Sequence, residues 1–137
     1  MSISVELDDA FEYAEKINVY NEGDKGVYGS DDDKYDKILV GFKEMIDGAH
    51  IMPAFGVSLD GETRKELNSG LWVEFEFNEQ MDYNEMPFEK LLIKVEENYS
   101  GFNLIRYTST EGYFGRCFYY DLVNKNMSEF YTVLMNL

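Results

Sequence analysis

The chain has 137 residues and carries 27 Asp and Glu against 12 Lys and Arg, a formal net charge of −15, with one His and one Cys. That length fits one domain, 1–137, able to hold a core without metal or disulfide. An apolar fraction of 45% with 16% aromatic residues excludes a disordered acidic tail.

In chain order, the first pattern is Asp8 to Ile17, where Leu7, Ala10, Phe11, Ala14 and Ile17 recur at helical spacing. Ser4 or Asp8 would cap that helix. Residues 21–30, with Gly23, Gly26 and Gly29 among polar neighbours, read as a loop. A second helix is predicted from about Asp32 to Asp47, with Tyr35, Ile38, Leu39, Phe42, Met45 and Ile46 on its apolar face and Gly48 as its C-cap. Pro53 is expected to break the next segment. Asp60 to Asn68 suits a short helix, although Asp60-Gly61 is also a hairpin turn pair.

From Leu71 the period changes to two. Leu71, Val73, Phe75 and Phe77 alternate with Trp72, Glu74 and Glu76, the clearest strand in the chain. Asn78 to Pro87 reads as a polar connection. Glu89 to Glu96, Phe102 to Thr108 and Tyr113 to Asp121 read as further strands divided by short turns. Met127 to Leu137 fits a helix by spacing and a strand by composition. The expected class is α+β, with N-terminal helices (about 1–69) packed on one face of a mainly antiparallel sheet of four to five strands (about 71–137).

Most ordinary catalytic chemistry lacks its residues. One His and one Cys cannot build a Cys/His zinc site within one chain. No G-x-S-x-G elbow or phosphate loop is present. Counting a calcium loop from Asp31 puts Asp36 where Gly belongs and Phe42 where Glu belongs, so that pattern fails. A Cys117–His50 dyad would place its nucleophile inside the aromatic run Tyr113 to Tyr120, where a thiol is ordinarily buried and inert. The expectation is a non-enzyme with no cofactor and no metal. Residues 1–16 lack the basic and apolar regions of a signal peptide, and no apolar stretch is long enough to span a membrane. With the lone Cys117, this indicates the cytoplasm.

The carboxylates are unevenly placed. Residues 1–36 hold eleven of them against three lysines, over half the net charge in about a quarter of the chain. Asp8, Glu12 and Glu15 fall on one stripe of the first predicted helix. Asp31, Asp32, Asp33 and Asp36 crowd the start of the second, beyond what capping requires. Trp72, Glu74 and Glu76 form the outward row of the first strand, with Trp72 expected as an exposed anchor and the acids as its rim. The alternative for that row is burial of Trp72 under a loop, with the acids paired to Arg106 or Arg116. These ten residues are the candidate partner-binding set.

In size, charge and α+β make-up, the whole chain resembles the small acidic cytoplasmic immunity proteins of polymorphic and contact-dependent bacterial toxin systems. The resemblance carries no residue roles. It implies an inhibitor that occludes the active site of a basic, nucleic-acid-acting toxin, with a basic protein as partner and neither nucleic acid nor membrane bound directly. A phage-encoded inhibitor of a host defence complex, such as an anti-CRISPR protein or DNA mimic, shares that physics. An enzyme of unrecognised type is the third reading.

Overall fold

The computed structural model describes residues 2–137, the side chains of 53–55 excepted. Its elements are β1 (Ile3–Ser4), α1 (Leu7–Ala10), β2 (Lys16–Asn21), β3 (Asp24–Gly29), α2 (Asp33–Ile46), β4 (His50–Ser58) and α3 (Asp60–Glu66). There follow β5 (Leu71–Tyr83), β6 (Met86–Val95), β7 (Gly101–Thr108), β8 (Gly112–Tyr113), β9 (Gly115–Asp121) and α4 (Ser128–Met135). The strands form one open sheet in the order β3-β2-β5-β6-β7-β9-β4. β1 runs parallel to the end of β5, and β8 pairs with β7.

This overturns the expected helical layer over a sheet of four to five strands. The described residues hold nine strands and four short helices, with 45% strand against 27% helix. Four of the nine, β1, β2, β3 and β4, come from the segment read as helical. The predicted helix over 8–17 is one turn of α1 and a 3-10 turn at Phe11–Tyr13. The backbone then extends at Ala14. Ile17 and Val19 are β-branched and alternate with Asn18 and Tyr20, so β2 wins there. The predicted loop over 21–30 is a hairpin. Glu22 and Gly23 both take positive φ (50° and 89°), as the commonest two-residue hairpin turn requires.

Two more expectations fail for similar reasons. The connection predicted over 78–87 is the far end of β5, turning at Asn84-Glu85, again with both φ positive (52° and 62°). Pro53 does not end its segment. β4 runs through it at the sheet edge, with a register shift between Met52 and Gly56, and an edge with a bulge is where a strand tolerates proline.

Both sheet faces are covered, unequally. Leu7, Phe11, Ile38, Phe42, Phe130 and Leu134 of the helices pack on Ile17, Val73, Phe75, Leu91, Phe102 and Phe118 of the sheet. Phe42 lies at the centre, with ring centroids 4.5 Å from Phe11, 4.8 Å from Phe75 and 5.6 Å from Phe130. On the other face Leu67, which ends α3, joins Trp72, Leu92 and Tyr113 in a smaller cluster. Asp60 anchors α3 there, accepting from the Tyr113 backbone N–H (2.9 Å) and from Arg64 (2.9 Å). Those two donors hold its carboxyl below the usual range.

Candidate functional site

α2 is the element on which the site is built. Asp32 caps it, accepting from the Lys34 backbone N–H at 2.8 Å, and Asp33 and Asp36 lie in its first turn. Tyr35, Ile38, Phe42, Met45 and Ile46 face the core, and the Tyr35 hydroxyl donates to the Ala14 carbonyl at 2.5 Å. At the C-terminal end, Lys125 Nζ donates to the Glu44 and Asp47 carbonyls, each at 2.9 Å. This satisfies two carbonyls that the helix leaves free and sets a cation at the negative end of its dipole.

A groove runs along each side of α2. Between α2 and α4 lies one of about 580 Å³, with Gly41, Met45, Phe130 and Val133 as its apolar floor and Glu44, Asp47 and Glu129 among its rim. Between α1 and α2 lies one of about 520 Å³, with Leu39, Val40 and Ile46 as floor and Asp8, Glu12, Glu44 and Asp47 around it. Glu44 and Asp47 belong to both. Val40, in the floor of the second, stands exposed (57%). The arrangement places apolar surface inside a fence of carboxylates, a combination that fits a partner presenting apolar and basic side chains together.

The rim differs in its freedom. Tyr120 donates its hydroxyl to Asp8 at 2.6 Å, and Lys43 pairs with Glu12 at 3.4 Å while donating to the Asp8 carbonyl at 2.8 Å. Burial, then the bond to Asp8 and its charge, push the Tyr120 phenol up. The carboxylates of Glu44, Asp47 and Glu129 form no ion pair among the described residues.

Gly41 is an anomaly within α2. It lies in the helix interior without a left-handed backbone, where glycine is worse than alanine by about 1 kcal/mol. A Cβ there would sit 3.4 Å from Phe130 Cδ1 and 3.5 Å from Val133 Cγ2, ordinary contact distances. Close packing of α4 therefore does not demand glycine.

The ten candidate residues do not form one patch. Asp8 and Glu12 reach the second groove. Asp31, Asp33 and Asp36 are exposed at the opposite end of α2, with Asp33 roughly 16 Å along the axis from Glu44. Asp32 is occupied as the cap. Glu15 is exposed just before β2, its backbone N–H on the Glu76 carbonyl at 2.8 Å.

Trp72, Glu74 and Glu76 lie on the other face of the sheet, and the exposed anchor expected there is corrected. Trp72 is 2% exposed, and its indole N–H donates to the Ser69 carbonyl at 2.9 Å. Glu74 is fully buried and accepts from Asn18 (3.0 Å), Tyr20 (3.2 Å) and Tyr113. Glu76 is half-buried, 3.8 Å from Lys90. The alternation identified a shared face, but that face is roofed by the end of α3 and by lysines such as Lys94, whose Nζ lies 5.7 Å from the Trp72 ring centroid. The acids' partners are not Arg106 and Arg116. Arg106 is buried and bonds the Arg116 and Pro87 carbonyls, each at 2.9 Å.

Cys117 and His50 are not brought together. Cys117 is opposite Gly56 and His50 opposite Asp121, so six residues of β4, roughly 20 Å, separate their positions. Burial pushes the Cys117 thiol up, away from the reactive thiolate. Among the described residues no group of three or more His, Cys, Asp and Glu could hold a metal ion, and no helix is long and apolar enough to cross a membrane.

Glu44, Asp47, Glu129, Val40 and Gly41 were missed as candidates. Gly41, Glu44, Asp47 and Glu129 take their meaning from α4, which follows α2 by about 80 residues and builds a groove wall against it, and Val40 takes its meaning from the groove beside α1. The local signal available was an exposed Val40 and a glycine inside an otherwise regular helix. Comparisons with protein-family models, with curated proteins and with solved structures find no match to this chain.

Proposed function

We propose that this chain is a non-catalytic acidic inhibitor, an immunity protein that binds a basic, nucleic-acid-acting bacterial toxin and occludes its active site. The observation that carries the reading is the pair Glu44 and Asp47, shared by two carboxylate-fenced grooves with apolar floors. A toxin that handles nucleic acid presents a basic cleft. An acidic partner reaches such a cleft quickly by steering and excludes substrate once seated. The lone buried Cys117 suits action in the cytoplasm.

The same geometry weighs against a DNA mimic. A mimic needs carboxylates spaced like phosphates along one surface. Here the acids of α2 are gathered at its two ends, and the grooves between them and the neighbouring helices offer apolar contact. That favours protein side chains as the occupant.

Tagged chain and its Glu44→Lys/Asp47→Lys variant, used to recover partners from the native host at low and high salt, test the reading. The expected result is a basic toxin or nuclease retained by the unaltered chain, inhibited by it, and lost to both the variant and salt. Recovery of the same proteins by both forms would remove the α2 face from the function.

A further inference from the structure

We propose that the groove between α2 and α4 receives the apolar stripe of an amphipathic helix of the partner, flanked by lysine or arginine, and that Gly41 determines this specificity by leaving the floor open. The inference rests on the reading of α2 as the docking face. It adds the class of element that docks and the residue that selects it.

Three observations converge. The floor of Gly41, Met45, Phe130 and Val133 is apolar and lies between two helices, with Asn124, Lys125, Asn126 and Ser128 completing the lining at one end. The carboxylates at its rim, Glu44, Asp47 and Glu129, have no ion-pair partner among the described residues. Lys125, the cation of that rim, is engaged by the Glu44 and Asp47 backbone carbonyls. An apolar stripe bordered by cations is the pattern of a basic amphipathic helix, and it would meet floor and rim together.

Gly41 supplies the third observation. Helix propensity disfavours it, and there is room for a methyl group against α4. A larger side chain at this position would grow from the floor into the trough. The glycine thus does nothing for folding that alanine would not do better, and it leaves open the space that the proposed helix would fill.

The probe is a helix-stapled peptide of about 15 residues, roughly four turns, built from leucine, alanine and lysine with leucines at i, i+3, i+4 and i+7. A scrambled peptide of the same composition and staple is the control. Binding is followed by amide chemical shifts of the full isotope-labelled chain at low salt. The expected result is saturable shifts at Gly41, Met45, Phe130 and Val133, with the scrambled peptide at least about tenfold weaker. Gly41→Leu, checked for an otherwise unchanged spectrum, should weaken the helix by about tenfold or more. Gly41→Ala keeps the fold should leucine disturb it, and should weaken the helix by about twofold or more. Equal affinity for both peptides, with shifts at the rim carboxylates alone, would overturn the helix proposal while leaving an acidic docking face. Undiminished binding by both variants would overturn the role of Gly41. Absence of binding by either peptide would overturn the groove proposal, and partner recovery with the Glu44/Asp47 variant would then judge the wider reading separately.

Discussion

The Tyr120 hydroxyl donates to the Asp8 carboxylate at 2.6 Å, tying β9 to the first turn of α1 across 112 residues of sequence. Tyr120 is fully buried and its ring stacks on Phe102 at 5.2 Å, so the bond fixes a groove-wall carboxylate to the aromatic core. Tyr120→Phe keeps the stack and loses the bond. Because Asp8 remains open to water, the expected destabilisation is about 1 kcal/mol. Urea unfolding of the two forms measures it.

Gly41→Ala should stabilise the chain. The added methyl meets Phe130 and Val133 at ordinary contact distances, and the helix gains about 0.5–1 kcal/mol. The same unfolding experiment should show a higher midpoint with unchanged slope. A lower midpoint would mean that α4 cannot yield the space.

Alkaline pH should unmask two buried tyrosines and the half-buried Tyr20. Tyr20, Tyr113 and Tyr120 have phenols pushed above their ordinary value near 10, by burial first in each case, reinforced by Glu74 for the first two and by Asp8 for the third. The folded state holds these protons more tightly than the unfolded state. Their contribution is therefore fully present below about pH 10 and is lost as pH rises towards the folded values. Phenolate absorbance should show the three titrating only with unfolding. Titration of all eleven tyrosines as one class in the folded protein would contradict the Glu74 network.

Trp72 gives an optical check on the sheet face. Its indole is enclosed beneath Lys94 and bonded to the Ser69 carbonyl. Emission should be blue-shifted and poorly quenched by acrylamide, and should redden on unfolding. Emission like that of free indole would put the row Trp72, Glu74 and Glu76 back on the surface.

The elements legible in the sequence are those whose period survives intact. α2 combines an unbroken apolar stripe with an Asp cap, and β5 begins with seven alternating residues. The N-terminal segment misleads because Leu7, Ala10, Phe11 and Ala14 are helical in spacing, and Ile17 fits that spacing while belonging to a strand. The two hairpin turns use Glu22-Gly23 and Asn84-Glu85, pairs with weaker turn signatures than Asn-Gly. At the candidate site, Asp8 and Glu12 were readable as an exposed row. The grooves were not, because each is a property of two helices packed together. Alternation along β5 could not show whether its second face meets water or α3.

Hydrogen exchange of the chain with and without a recovered basic partner tests the central claim most directly. The account predicts slowed exchange over residues 41–47 and 124–133, the walls of the groove between α2 and α4, with residues 8–12 following. Slowing confined to α3 and the lysine-bearing face of β5 and β6, or to the edge strand β4, would contradict it.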